Sequence, residues 1–130
     1  MNRKLLFISA FCAYLAAVLA LCLIRTDGMP QTDFSILGIP ADKLTHFIMF
    51  LPFPILAYSA FYKAGRKKVK ETAMTAAMTI AGFLLACITE YLQSLTSYRT
   101  SDPTDIHADL IGVSLGAIII LLYIIFRKRP

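Results

Sequence analysis

Four long apolar runs divide this chain, separated by short polar stretches. Leu5 to Ile24 carries no charge, and Lys43 to Tyr62 is charged only in its first turn. Thr72 to Leu95 holds one carboxylate, Glu90, near its end, and Asp105 to Phe126 is charged only at Asp105 and Asp109, near its start. Each run has roughly the 20 residues that a helix needs to cross a hydrocarbon core. None alternates apolar with polar residues, which argues against strands. The pattern predicts an all-α integral membrane protein: one domain over residues 1–130, with four transmembrane helices in an up-and-down antiparallel bundle. The first run is too long for the core of a cleaved signal peptide, about 7–15 residues, so it reads as a retained helix.

Composition supports that picture, with 58% hydrophobic residues, a mean hydropathy of +0.68 and 16% charged residues. The net charge of +5 is unevenly placed. Ten of the thirteen basic residues fall in three segments: Arg3 and Lys4; Lys63, Arg66, Lys67, Lys68 and Lys70; and Arg127, Lys128 and Arg129. With four spans those segments share one side. Seven of the eight acids lie on the other. The positive-inside rule then places both termini and the middle loop in the cytoplasm. The basic run "KAGRKKVK" reads as a topology signal that touches anionic lipid, and no nucleic-acid partner is expected.

Cys12, Cys22 and Cys87 all fall within the apolar runs and lack paired spacing, so neither a disulfide framework nor a metal site is expected. Pro52 and Pro54 should kink or break the second span. Ala73, Ala77 and Ala81, and Gly112 and Gly116, recur at four-residue spacing that favours close helix packing. The connection from Arg25 to Ala41 mixes turn formers with a short apolar patch.

The remaining ionisable residues gather at one end. Asp42, Lys43 and His46 open the second span in "DKLTH", and Glu90 and Gln93 close the third in "TEYLQ". Arg99 lies in the next loop, and Asp105, His107 and Asp109 open the fourth span in "SDPTDIHADLIGVSLG". Helical spacing puts Asp42 with His46, and Asp105 with Asp109, on shared faces. The Asp105 and Asp109 face continues into Gly112 and Gly116, so both aspartates should point into the bundle, whereas His107 lies off that face. At 1.5 Å per residue, three helices present polar groups at one depth below the surface. Ionisable groups at that depth face a protein interior or a watery cavity.

This arrangement resembles the VanZ-like family of small multi-pass bacterial membrane proteins. Asp42, Lys43, His46, Glu90, Gln93, Arg99, Asp105, Gly112 and Gly116 match its pattern, while Asp109 stands where the family usually has asparagine. The resemblance implies a bacterial plasma-membrane protein with a role in the cell envelope, because the family's named member is linked to teicoplanin resistance.

The residues leave three functions open. The leading one is an outward-facing site for a lipid head group or a cell-wall precursor. There Lys43, Arg99 and protonated His46 would hold phosphate, and Glu90, Asp105 and Gln93 would orient them or accept from sugar hydroxyls. The second is a membrane-embedded enzyme using His46 with Glu90 or Asp105 for acid–base or metal chemistry. No nucleophile motif or metal spacing accompanies these residues, and no cofactor is expected. The third is a small transporter or channel through the broken second span.

Overall fold

A computed structural model describes residues 2–24, 34–98 and 102–128. Among these residues there are five helices: α1 (Arg3–Leu23), α2 (Ala41–Phe50), α3 (Pro52–Phe61), α4 (Lys68–Ser94) and α5 (Pro103–Phe126). A two-stranded hairpin, β1 (Ser35–Ile36) with β2 (Ile39–Pro40), precedes α2 directly. Taken with α2 and α3 as a single span, Ala41–Phe61, the described residues include four helices long and apolar enough to cross a membrane. The chain is a multi-pass membrane protein, and its surroundings are a lipid bilayer.

Local chemistry sets the helix ends. The Asn2 side chain caps α1 by accepting from the Lys4 amide. Asp102 caps α5 by accepting from the Thr104 amide at 2.9 Å, and Pro103 starts that helix, where a missing amide donor costs nothing. The expected disturbance at Pro52 and Pro54 divides the second span at Leu51. Leu51 keeps helical angles and its amide still donates to Phe47, so the chain bends without unwinding.

The glycines of α5 sit against that bend. A Cβ on Gly112 would come within 2.6 Å of the Phe47 carbonyl oxygen, and one on Gly116 would collide with the Leu51 carbonyl and the Pro54 ring. Helix backbone therefore meets helix backbone along the α2–α5 seam, which no larger residue allows. Paired residues show that α5 runs in the same direction as α2 and α3: Lys43 meets Asp105 at one end, and Tyr58 meets Tyr123 at the other.

The burial pattern is inside-out relative to a water-soluble domain. Leu21, Ile48, Ile80, Leu84, Ile118 and Phe126 face outward, and the interior holds His46, Glu71, Glu90, Gln93, Asp105 and Asp109 beside an apolar core that includes Val18, Phe50, Ala86 and Val113. Apolar surface loses nothing against lipid, so burial here is decided by polar pairing and close packing. Ala73, Ala77 and Ala81, expected to pack, instead lie on the exposed side of α4. The buried face of α4 runs through Glu71, Thr75, Gly82, Ala86, Glu90 and Gln93. Polar side chains that need partners, together with Gly82 against Val113 and Phe53, turn the helix that way.

Candidate functional site

The first turns of α2 and α5 lie side by side and form the centre of the site. The Lys43 ammonium donates to Asp102 at 2.9 Å and to Asp105 at 3.1 Å, with Asp42 at 3.6 Å. One turn deeper, His46 lies between two carboxylates of α5. Its Nδ1 is 3.0 Å from Asp109 Oδ1, and its Nε2 is 3.5 Å from Asp105 Oδ2. Both ring nitrogens can donate at once only in the doubly protonated ring. The four-residue spacing of Asp105 and Asp109 matters here, because it lets two successive turns of α5 reach both edges of one imidazole.

Depth divides the cluster into two layers. Asp42 and Lys43 form an upper layer that water can reach. His46, Asp105 and Asp109 form a lower layer, 5%, 8% and 1% exposed, too enclosed for solvent to stabilise a charge alone. Asp109 Oδ2 has no hydrogen-bond partner among the described residues, although it is buried. Glu90, on α4, is buried as well.

Electrostatics at the rim follow from the same contacts. The hydrogen bond from Lys43, helped by the Thr104 amide, holds the Asp102 carboxyl well below the usual carboxylate range. Oxygens of Asp42, Asp102 and Asp105 lie within 4.8 Å of one another, a spacing that could hold a cation. The Lys43 ammonium already stands among them, so a metal ion would have to displace it.

The remaining expected residues divide. Gln93 is buried, but its amide donates to the Cys22 carbonyl at 2.9 Å, so it ties α4 to α1. His107 is exposed, as its position off the aspartate face suggested. Arg99 lies outside the described residues. Asp102, the residue just before α5, is also a direct partner of Lys43.

A groove of about 460 Å³ opens beside the cluster. Lys43, Thr104 and His107 stand at its polar rim, and Ile39, Leu44, Phe47 and Ile111 line its apolar part.

The opposite end holds a pair that the sequence reading missed. Glu71 is fully buried in the first turn of α4, and Arg127 grips both of its oxygens at 3.1 and 3.0 Å. Tyr58 donates to the same carboxylate, and the guanidinium lies over the rings of Tyr62 and Tyr123. Hydrogen bonding to Tyr123 and then to Glu71 raises the Arg127 pKa above its ordinary value. An acid alone in the basic run "KKVKE" was the available signal; counting charges for topology concealed it.

A family model described as VanZ/LLP1 matches residues 11–127. The chain belongs to the VanZ/LLP1 family. Its similarity extends to an uncharacterized protein of Schizosaccharomyces pombe, 33% identical over 88 residues. That alignment covers 68% of this chain and 49% of the relative, so the chain spans about half the length of the curated relative it matches. No solved structure matches. Family membership fixes the membrane setting without naming a ligand.

Proposed function

We propose that this VanZ/LLP1 protein binds the head group of an envelope lipid or a lipid-linked cell-wall precursor at its acidic end. In this reading the helices cross a bacterial plasma membrane alternately as one domain. Both termini are cytoplasmic and the acidic end faces outward. The observation that carries the proposal is the gradient of the α2–α5 groove, which passes from Lys43, Thr104 and His107 at the rim to Leu44, Phe47 and Ile111 within. A lipid presents the same order of polarity from head to tail. At about 460 Å³ the groove falls within the ~300–1,000 Å³ of small-ligand pockets and suits one chain segment rather than a whole lipid. Lys43 and His107 offer donors to phosphate, and Arg99 would add a planar fork suited to oxyanions. The surrounding carboxylates suit an amine or hydroxyls on the same head group.

The test is lipid retained through purification in mild detergent, read by native mass spectrometry. Ile111→Trp should fill the groove, and Lys43→Gln should remove the rim cation. Each should lower retained lipid several-fold while helix content is kept. Unchanged lipid in both variants would sink the proposal.

His46 favours a second reading, as an enzyme. A buried carboxylate, Asp109, orients one ring nitrogen, the arrangement that prepares an imidazole for proton transfer. His46 is 5% exposed, so substrate would have to part the α2–α5 seam. Turnover of a labelled envelope lipid that disappears in His46→Gln would favour this reading; binding without turnover would reject it.

We extend the site to teicoplanin tolerance, which the VanZ resemblance implies. Expression in a sensitive bacterium should raise tolerance, and Glu90→Gln should remove the gain at matched membrane levels. Wild type without effect would end the resistance reading and leave lipid binding untouched.

A further inference from the structure

The hairpin ahead of α2 displays apolar side chains in a way that folding does not require. Residues 34–41, "FSILGIPA", carry no charge. The register pairs Ser35 with Pro40 and Ile36 with Ile39, leaving Leu37 and Gly38 as the two-residue turn. Alternation along the strands puts Phe34, Ile36 and Ile39 on one face and Ser35 and Pro40 on the other. Phe34 is 60% exposed, and Leu37, at the tip, is 97% exposed.

Leu37 has φ 54° and Gly38 has φ 79°. A turn with both central residues at positive φ suits the twist of a hairpin and favours asparagine or glycine. Leucine is strained at that φ, and a side chain 97% exposed makes almost no contact that would offset the strain. In water the tip would be a liability on both counts.

Two further features point to lipid. The hairpin runs straight from Pro40 into Ala41, the first residue of a membrane-spanning helix, so it lies at the level where that helix enters the bilayer. Its apolar face is continuous with lipid-facing surface, since Ile39 is also a wall of the α2–α5 groove. The backbone is paired on its inner side, because the strands bond each other and the Ala41 amide donates to the Phe34 carbonyl at 3.0 Å. Its two open edges need polar partners, so the backbone stays at the head-group level and the apolar side chains reach down from it.

We propose that the 34–40 hairpin is a membrane-inserting element, dipping Leu37 and the Phe34–Ile36–Ile39 face into the acyl region of the leaflet beside the start of α2. It would hold the rim of the groove at the depth of the lipid head groups. This inference rests on the membrane-spanning reading and is independent of which ligand the groove takes.

The chain has no tryptophan, so one introduced indole reports its own surroundings. Leu37→Trp replaces an exposed side chain and should leave the fold intact. In vesicles of bromine-labelled phosphatidylcholine its emission should shift to the blue of free tryptophan. It should be quenched by bromines high on the chain and protected from aqueous acrylamide. Ser35→Trp, on the opposite face, should be quenched less. Water-like emission with full acrylamide access would overturn the proposal. A blue-shifted emission that no brominated lipid quenches would overturn it too, because a protein surface would then cover the tip.

Discussion

The two polar clusters use similar residues for opposite ends. At the basic end one acid meets one base: both Glu71 oxygens are held by Arg127, and aromatic rings close over the guanidinium. Acid and base are matched one to one, so this is a clasp joining the tail after α5 to the start of α4. At the acidic end Lys43 is shared by three carboxylates, His46 by two, and Asp109 keeps one buried oxygen without a described partner. That end also opens onto a groove. Matched charges make a joint, and the unmatched charges at the acidic end are what the binding proposal rests on.

The largest expected effect tests the clasp. Arg127→Ala leaves Glu71 buried and uncompensated, which should cost about 3 to 5 kcal/mol. The double change Glu71→Leu with Arg127→Met should recover most of that loss, because it removes both charges together. Unfolding in detergent reads both. If the double variant stayed as weak as the single one, the clasp would be more than a charge pair.

Next comes the seam that connects the two ends. Gly116→Ala places a Cβ against the Leu51 carbonyl and the Pro54 ring, neither of which can swing aside. A loss of about 1 to 3 kcal/mol is expected, as for overpacking of a close-fitted interior. Retained lipid should fall as well, since α2 and α5 would part at the base of the groove.

Asp109→Asn should separate the two clusters most clearly. Asparagine has the same shape and can still face His46, which keeps Asp105 as a partner. The stability loss should therefore stay well below the roughly 3 to 5 kcal/mol of an unpaired buried charge. Head-group binding should change measurably, because a carboxylate is removed from the unmatched set. A large stability loss without altered binding would make the acidic end a second clasp.

The smallest effect is a pH dependence at the rim. Asp102 has a depressed pKa in the folded protein, so its pairing with Lys43 stabilises fully above the ordinary carboxylate value of 3.8. That stabilisation is lost as pH falls through the folded pKa. The melting temperature should therefore drop on acidification below about pH 4, and drop less in Asp102→Asn. The Asp102 side chain is 45% exposed, so the difference should be small.

Much of this was legible along the chain. Hydropathy gave the four long helices, since length and apolarity alone decide whether a segment can cross a bilayer. Spacing gave the buried face of α5, because Asp105, Asp109, Gly112 and Gly116 share one side of a helix whatever it packs against. Pairing across helices was not legible. Gln93 was expected beside the ligand and serves the Cys22 carbonyl, and the alanine stripe of α4 was expected to pack and faces outward. Both depend on how α4 is rotated, which a local pattern cannot show when lipid and interior are equally apolar.

By itself, then, the sequence determined the membrane setting, the helix spans and the gathering of acids at one end. Those follow from transfer free energies and helical geometry, which act residue by residue. Only the tertiary structure decided that Lys43 sits among three aspartates, that His46 is held at both ring edges, and that Glu71 and Arg127, 56 residues apart, close on each other. Charge pairing falls off within a few ångströms, so partners distant in sequence are chosen only once the helices have packed.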